Sequence, residues 1–391
     1  MSTPTPASPF EVPRNWSRGI PVTGAWLEGD PVGDRQFHSL TAQRPFVLEG
    51  GGVLDDASIA YETWGQLNQA ADNAVLVCHA LTGDAHASGW WDGLIGPGKA
   101  IDTDRWFVVC ANVLGGCQGS TGPASTDPQT GKPYGMRFPT VTIRDIVRSQ
   151  ASLANGLGID TWHAVVGGSM GGMQALEWGL MYADRVKAIA PIATAAAATP
   201  WQIGWSATGR LAITLDPQWK NGDYYDGEPG QGPHAGLAVA RSVAQITYRS
   251  DEVYQDRFGR NLVDPSQVFG HWDRFSVESY LDHHGEKLAR RFDANSYLIL
   301  NRAMDLHDVA RGRGNVERAF AMLKAPVLSI SINTDTLYHP RLQSDLADFA
   351  RKAGVDTEYQ IIESPHGHDG FLLEADAVGA ALGKFLDRAA G

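Results

Sequence analysis

The sequence predicts an α/β protein in which a mostly parallel central sheet is flanked by helices and carries a helical insertion. Short apolar segments alternate with helical patterns along much of the chain, which is typical of parallel sheets covered by helices on both faces. The interval 195–320 breaks this alternation, because it is rich in charged and aromatic residues and contains no convincing apolar strand. A G-x-S-x-G motif at 167–171 stands between a strand-like and a helix-like segment, a setting that predicts an exposed, strained serine.

The strands are predicted in chain order from apolar and β-branched runs bounded by turn residues. Segments 46–52 and 57–63 are expected to form antiparallel strands joined by a turn. Segments 74–79 and 106–112 are apolar throughout, which favours central strands buried on both faces. The later strands are predicted at 162–166, 186–192, 326–332 and 359–363, with an amphipathic helix beginning at Ile143 and a closing helix over 377–390.

This pattern divides the chain into three parts. Residues 1–36 are rich in Pro, Ser, Thr and Gly and are predicted to form an N-terminal tail that is disordered or lies on the surface. Residues 37–194 and 321–391 form the predicted core. Residues 195–320 are predicted to form a helical lid over the edge of the sheet where the serine lies.

Composition restricts the class of function. The chain has 391 residues and a net charge of −12, so no general affinity for nucleic acid is expected. No apolar run is long enough to span a bilayer, and the N-terminus lacks the basic and apolar segments of a secretory signal. The three cysteines have neither paired nor metal-type spacing. We therefore expect a cytoplasmic protein with no membrane contact and no bound metal.

The motif Gly167-Gly168-Ser169-Met170-Gly171 predicts a nucleophilic serine. The apolar segment before it and the helix-like segment after it suit a strand that turns sharply into a helix. Glycines allow strand and helix to approach closely. The hydroxyl of Ser169 would then face a helix N-terminus, where backbone N–H groups stabilise a developing negative charge. The alternative is an ordinary serine in a glycine-rich turn, which the strand-turn-helix setting disfavours.

A serine nucleophile needs a base and an orienting carboxylate, which in this architecture follow the serine in the order acid, then histidine. Asp335 follows the predicted strand that ends at 332, and both His366 and His368 follow the last predicted strand. Parallel sheets collect functional groups at these carboxyl ends. Asp335 is therefore predicted to orient either His368 or His366. The alternatives are a turn residue at Asp335 and a helix cap at Asp369.

An acyl-transfer site also needs donors for the oxyanion. The backbone N–H of Met170 directly follows the nucleophile and is the first predicted donor. The second is predicted to be the N–H of Leu81, in the loop that leaves the strand at 74–79. Cys117, in the glycine-rich loop 114–122, is a rival nucleophile. That loop lacks a phosphate-loop lysine and is expected to shape the wall of the pocket rather than to bind a nucleotide.

Five multi-residue motifs occur in a characteristic order. They are His79-Ala80-Leu81-Thr82-Gly83, Asn112-Val113-Leu114-Gly115-Gly116-Cys117, Gly167-Gly168-Ser169-Met170-Gly171-Gly172, Thr247-Tyr248-Arg249-Ser250 and His366-Gly367-His368-Asp369-Gly370-Phe371-Leu372-Leu373-Glu374. Together they resemble the homoserine O-acetyltransferase family of α/β-hydrolase-fold enzymes, from about residue 37 to the C-terminus. The resemblance implies an α/β-hydrolase fold and no permanently bound cofactor. It also implies transfer of an acetyl group from the co-substrate acetyl-CoA to the hydroxyl of L-homoserine, an early step toward methionine.

The resemblance also implies roles for individual residues. It implies Ser169 as the nucleophile, Asp335 as the orienting acid and His368 as the base, since the family's base directly precedes an aspartate. Asp369 is then implied as the partner of the homoserine ammonium group. These assignments predict a ping-pong reaction through an acyl-serine.

In the lid, the resemblance implies that Arg241, seven positions before Tyr248, binds the homoserine carboxylate, with Tyr248 beside the substrate. An arginine suits a carboxylate because it grips both oxygens. The alternative for Arg241 is a solvated charge on a helix face.

Three further functions stay open at this point. A succinyl donor is the first, although Gln118 and the lack of Lys or Arg at 114–124 favour an acetyl donor. An esterase or thioesterase with the same triad is the second, and a non-enzymatic binding protein of this fold is the third. The charges of Arg241 and Asp369 favour an amino-acid acceptor. The resemblance also implies a homodimer formed through the lid.

Overall fold

A computed structural model describes residues 19–390 of the chain. Within that range one sheet of eight strands forms the centre of the molecule. Its strands are β1 (Gln36–Ser39), β2 (Ser58–Trp64), β3 (Ala74–Cys78), β4 (Phe107–Ala111), β5 (Ala164–Gly168), β6 (Ile189–Ile192), β7 (Val327–Ile332) and β8 (Thr357–Ile362). They lie side by side in the order β1-β2-β4-β3-β5-β6-β7-β8.

The sheet is antiparallel at one edge and parallel elsewhere. Strand β2 runs antiparallel to both β1 and β4, and the remaining neighbours are parallel. The predicted α/β class with a mostly parallel sheet is therefore confirmed. Parallel neighbours place the carboxyl ends of β3, β5, β6, β7 and β8 at one edge, where side chains from distant parts of the chain meet.

The predicted hairpin of 46–52 with 57–63 is wrong in its pairing. Strand β2 pairs with β1, with Gln36 opposite Tyr61. Residues Phe46–Val47 instead pair with Val53–Leu54. Gly51, whose φ is +86°, turns the chain back early, so the hairpin closes before β2 begins.

The longer helices within residues 19–390 cover the sheet and form the insertion. They are α1 (Ile143–Gly156), α2 (Met170–Met181), α3 (Pro200–Thr214), α4 (His234–Tyr248), α5 (Asp251–Phe258), α6 (Ser276–Arg291), α7 (Ala294–Asp305), α8 (Val316–Phe320), α9 (Pro340–Lys352) and α10 (Ala375–Ala390). Helix α1 begins where expected, because Thr142 and Asp145 form a capping box that satisfies the first backbone N–H groups. In this part of the chain no helix has both the length and the apolar composition needed to cross a membrane.

The insertion lies between β6 and β7 and contains helices α3 to α8. Helix α4 packs against both α3 and α6, so these three helices form one layer. Thr199 caps the start of α3 by a second capping box, with Gln202. The division into tail, core and lid at 36, 194 and 320 stays a prediction.

The predicted tail falls partly outside the described range, since residues 1–18 precede it. Residues 19–24 pack against the insertion, whereas residues 27–34 are exposed. Ile20 is fully buried, and the Thr23 hydroxyl donates to the Asp293 carboxylate at 2.8 Å. The backbone N–H of Trp26 donates to the Cys117 carbonyl at 2.8 Å. This segment therefore joins the insertion to the loop that contains Cys117.

The hydrophobic core consists of two clusters, one on each face of the sheet. In strand β3, Leu76 belongs to one cluster, and Val75 and Val77 belong to the other. Successive side chains of a strand point to opposite faces, so this central strand is buried on both sides, as its sequence predicts. Each fully buried side chain of this size contributes about 1.5–3 kcal/mol, which fixes the position of the strand ends that hold the functional site.

Candidate active site

Ser169 lies at a strained turn between β5 and α2. Its φ is +57° and its ψ is −121°, a conformation that costs about 1–3 kcal/mol in a residue other than glycine. The turn is tight because a Cβ on Gly167 would lie 2.5 Å from the Gly171 carbonyl carbon, and one on Gly171 would lie 2.0 Å from the Cys78 oxygen. The sequence therefore needs glycine at both positions, and the geometry is that of a nucleophile elbow.

Asp335 and His368 are joined by a short hydrogen bond. The distance from His368 Nδ1 to Asp335 Oδ2 is 2.7 Å, and both side chains are almost fully buried. The other oxygen of Asp335 accepts the N–H groups of Leu337 at 2.9 Å and Tyr338 at 2.8 Å. Asp335 is thus both a turn residue and the partner of His368, each through a different oxygen.

The pKa of His368 is raised. Burial acts to lower this pKa, but the negative charge and hydrogen bond of Asp335, with a smaller effect of Asp369, raise it by more than burial lowers it. The imidazole is also held between rings, with the centroid of Tyr338 at 5.1 Å and that of Phe371 at 5.4 Å. A histidine held in this way has a fixed orientation and an increased affinity for a proton, as a general base needs.

Ser169 and His368 share two neighbours. Phe371, which contacts His368, lies so close to the elbow that a Cβ on Gly168 would meet its ring at 2.3 Å. Tyr338 stacks on His368, and its phenol is close enough to the Ser169 side chain for the serine to lower the phenol pKa, against the larger effect of burial, which raises it. The serine and the histidine therefore lie in one buried cluster at the carboxyl ends of the strands.

The two rivals to these residues have other surroundings. His366 lies outside the cluster, and its backbone N–H donates to the Ser364 hydroxyl at 3.1 Å. Cys117 is buried, and burial raises the pKa of its thiol far above the usual range. A buried neutral thiol is a poor nucleophile. The helix-cap alternative for Asp369 also finds no support, because its side chain makes no capping hydrogen bond.

The two predicted oxyanion donors lie on adjacent elements. Met170 is the first residue of α2, and Leu81 lies in the loop after β3. Within residues 19–390, neither the backbone N–H of Leu81 nor that of Met170 donates a hydrogen bond in a turn, loop or cap. His79 holds the Leu81 loop, because its Nδ1 lies 2.7 Å from the Ala80 oxygen and its Nε2 accepts the Val113 N–H at 3.1 Å. Both N–H groups therefore remain available to a ligand.

A cavity of about 330 Å³ contains the predicted substrate-binding charges. Arg241 and Asp369 both line it, and the Arg241 guanidinium lies 5.3 Å from the ring centroid of Tyr248. Tyr248 in turn lies 5.7 Å from the ring of His368. Arg249 pairs with Asp369 at 3.2 Å. The insertion between β6 and β7 and the loop after β8 thus meet at this charged cavity, referred to below as the charged chamber, next to the histidine.

The pKa of the Asp369 carboxyl group is raised by its buried position in this cavity. Burial raises the pKa of its carboxyl, and the positive charges of Arg249, His368 and Arg241 oppose that rise. An ammonium group at this carboxylate would favour the ionised form still further. Asp369 is therefore a buried carboxylate whose ionised form depends on the cations around it.

Sequence reasoning missed three residues of this site. Tyr338 stacks on the histidine, Arg249 pairs with Asp369, and Gln174 donates to the carbonyls of His79 and Met170 at 3.2 Å each. Arg249 lies inside one of the motifs quoted above, and Tyr338 lies three residues after Asp335, so a signal existed for both. Gln174 has no such signal, because it acts on a loop 95 positions away.

Comparison with known proteins agrees with this geometry. The family model of the α/β-hydrolase fold matches residues 73–375, so the chain belongs to the α/β-hydrolases. A protein of Thermobifida fusca (strain YX) named homoserine O-acetyltransferase is 51% identical over 377 residues, covering 94% of this chain and 97% of that protein. The chain accordingly belongs to the homoserine O-acetyltransferase family.

Two solved structures show the same fold. The homoserine O-acetyltransferase from Bacillus anthracis is 31% identical with a TM-score of 0.83, covering 90% of this chain and 97% of that one. The structure of esterase E22 has the same identity and TM-score, and covers 90% of this chain and 99% of that one. The fold is therefore similar to that of a transferase and of an esterase to the same degree.

Proposed function

We propose that the protein transfers an acetyl group from acetyl-CoA to the hydroxyl of L-homoserine, giving O-acetyl-L-homoserine and CoA for methionine biosynthesis. The observation that carries this proposal is the charged chamber beside His368, in which Arg241 and Asp369 line one cavity. An amino acid presents a carboxylate and an ammonium group together, and these two side chains have the complementary charges. Simple ester substrates need neither charge.

In the first step, His368 takes the proton of the Ser169 hydroxyl as the serine oxygen attacks the thioester carbonyl. Asp335 holds the imidazole and stabilises its protonated form, supported by the 2.7 Å hydrogen bond. The backbone N–H groups of Leu81 and Met170 bind the oxyanion. The carbon–sulfur bond then breaks, His368 returns the proton to the sulfur, and CoA leaves an acetyl-serine.

In the second step, homoserine enters with its carboxylate on Arg241 and its ammonium on Asp369. Without substrate, Arg249 pairs with Asp369 at 3.2 Å. The ammonium group must therefore either share the Asp369 carboxylate with Arg249 or displace Arg249 from it. His368 removes the proton from the homoserine hydroxyl, whose oxygen attacks the acetyl carbon and releases Ser169. His368 then gives the proton that it took from homoserine to the serine oxygen.

An acetyl donor is proposed over a succinyl donor. The second carboxylate of a succinyl group would need a cation or a free donor in loop 114–124, which contains no Lys or Arg and has Gln118 as its one amide side chain. Its amide nitrogen already donates to the Arg291 carbonyl at 2.6 Å and lies 3.3 Å from the Gly24 carbonyl. That engagement supports a small, uncharged acyl group.

An esterase or thioesterase is the second candidate, favoured by the similarity to esterase E22. The two candidates differ only in whether water or homoserine accepts the acetyl group, which the triad alone does not decide. A thiol-release assay with acetyl-CoA and succinyl-CoA, each with and without L-homoserine, separates them. We expect release from acetyl-CoA that depends on homoserine, with O-acetylhomoserine found by mass. Equal release without homoserine would establish a thioesterase instead.

We further propose a homodimer formed through the insertion, in the cytoplasm. Helices α3 and α4 and the residue after α3 expose large apolar side chains, among them Trp201, Leu211, Leu215 and Ile246, and an exposed apolar surface of this kind favours association. The three cysteines are unpaired, which suits a reducing compartment. Light scattering of the wild type and of Leu215→Glu tests the dimer, since the variant should shift the mass toward that of one chain.

A further inference from the structure

The cavity beside Asp369 has more positive charge than homoserine needs. The cations that line it are Arg241, Arg249, Lys287 and Arg291, and the carboxylates are Asp92 and Asp369. Four cations against two carboxylates leave a surplus of two positive charges, in a chain whose net charge is −12. Homoserine is a zwitterion and adds no net charge, so the surplus remains when the amino acid is bound.

Lys287 and Arg291 are the cations that the proposed chemistry does not use. Both lie in the last two turns of α6. Within residues 19–390, Lys287 makes no ion pair and no hydrogen bond through its exposed ammonium group. Arg291 donates through Nη1 to the Thr82 carbonyl at 2.8 Å, which is a neutral partner. Neither positive charge is therefore balanced by a carboxylate in contact with it.

The cations of this cavity lower the pKa of one another and of a nearby histidine. Burial, and then the positive charge of Arg241, lowers the pKa of Arg291. His284, on the same helix, has its pKa lowered to about 4 by burial and by surrounding cations, of which Arg241 is the largest influence. His284 is thus uncharged at neutral pH. An anion bound in this cavity would relieve the repulsion.

We propose that Lys287 and Arg291 bind the diphosphate of the acyl-CoA donor at the mouth of the active site. This inference rests on the proposed function, because the diphosphate of an acyl-CoA donor carries two negative charges, which match the surplus of two cations. Lysine is a point charge suited to phosphate, and arginine adds directed N–H groups. Trp90, Leu372 and Leu373 form an apolar wall of the same cavity, suited to the pantetheine chain.

The position of Arg291 joins this subsite to the reacting groups. Its guanidinium contacts Thr82, the residue after the proposed oxyanion donor Leu81. The cavity also includes Asp369, the residue after His368. An acyl-CoA whose diphosphate is bound by Lys287 and Arg291 could therefore extend its thioester toward Ser169. An ester without phosphates would not make these two contacts.

The test compares two acetyl donors that differ only in the nucleotide part, acetyl-CoA and S-acetylpantetheine. Lys287→Gln should raise KM for acetyl-CoA about tenfold, since a charge-assisted contact is lost, and should leave KM for S-acetylpantetheine unchanged. Arg290→Gln is the matched control. It removes the same charge from the same helix, but Arg290 pairs with Glu286 at 2.7 Å and does not line the cavity.

The readout is the KM for release of thiol from each donor, with and without homoserine. The proposal is overturned if Lys287→Gln raises KM equally for both donors, or if Arg290→Gln raises KM for acetyl-CoA as much. A second overturning result is equal KM for the two donors in the wild type. If thiol release proves independent of homoserine, the transferase proposal fails, but the comparison of donors still decides the phosphate subsite. We also expect KM for acetyl-CoA to rise with salt in the wild type and less so in Lys287→Gln.

Discussion

His368 and Asp335 are 33 positions apart in the chain, and their side chains meet at 2.7 Å in a buried pair. Each follows a different strand of the parallel sheet, so the pairing is a consequence of the shared carboxyl edge. The pair governs the protonation of the proposed base, and the pH dependence of the reaction follows from it.

Asp335→Asn should both slow the reaction and shift its pH dependence. His368 acts as a base only when neutral, so the rate should rise as pH increases through its pKa, which lies above the ordinary histidine value. Replacing the carboxylate by an amide removes the charge that raises this pKa and also disturbs the tautomer. We expect kcat to fall by about 10⁴ and the acidic limb of the kcat/KM profile to move to lower pH. An unchanged limb in the variant would show that Asp335 does not control the titration.

Ser169→Ala should abolish formation of the acetyl-enzyme. Wild-type protein mixed with acetyl-CoA in the absence of homoserine should gain one acetyl group, located at Ser169 by mass spectrometry of peptides. The variant should gain none, and its turnover should fall by about 10⁴ or more. Cys117→Ala is the control, because the buried thiol has a raised pKa. An adduct on Cys117, or loss of acetylation in Cys117→Ala, would assign the nucleophile to the cysteine.

The sequence allowed these residues to be predicted because their signals are local. Ser169 lies within a five-residue motif, and Asp335 and His368 lie shortly after the strands that end at Ile332 and Ile362. The pairing of Arg249 with Asp369 joins the insertion to the core across 120 positions, and no spacing within either segment indicates it. The edge of the sheet was misjudged for a related reason, since the partner of Ser58–Trp64 lies at Gln36–Ser39, beyond the nearer hairpin.

Arg241→Gln should impair the second half of the reaction only. If the guanidinium binds the homoserine carboxylate, its loss should raise KM for homoserine roughly 10- to 100-fold. The rate of acetyl-enzyme formation, followed as the first turnover of thiol release, should stay within about twofold. Arg302→Gln, an exposed arginine of helix α7, is the control and should change neither quantity. Equal effects of Arg241→Gln on both half-reactions would remove the proposed role of Arg241 as a carboxylate ligand.

Glu177→Gln should weaken the attachment of the insertion to the core. Glu177 is 1% exposed and pairs with Arg144 at 3.1 Å and with Arg313 at 2.6 Å. Within residues 19–390, removing its charge leaves Arg313 without a carboxylate partner and Arg144 with Glu49 alone, and loss of one partner of a buried ion pair costs on the order of 3 kcal/mol. The free energy of unfolding in urea measures this cost. Lys324→Gln, which breaks an exposed pair with Asp184, should leave that free energy nearly unchanged, and equal effects of the two variants would contradict the buried role.

Gln174→Leu should reduce kcat while leaving KM for acetyl-CoA nearly unchanged. The Gln174 amide nitrogen donates to the carbonyls of His79 and Met170 at 3.2 Å each. These carbonyls belong to the two segments that present the proposed oxyanion donors, so the glutamine fixes their relative position. Its own oxygen accepts from Gln150 at 2.7 Å, and the side chain is fully buried.

Leucine preserves the volume of Gln174 but removes both donations. Displacing oxyanion donors weakens only the contacts made in the transition state, so we expect kcat to fall about tenfold or more. Gln150→Leu is the matched control, since it breaks the outer hydrogen bond but leaves the two donations of Gln174 in place, and its effect on kcat should be smaller. A purely structural role would lower the stability of both variants without this difference in kcat. Circular dichroism melts recorded beside the kinetics separate the two effects, and equal losses of kcat in Gln150→Leu and Gln174→Leu would show that Gln174 does not position the donors.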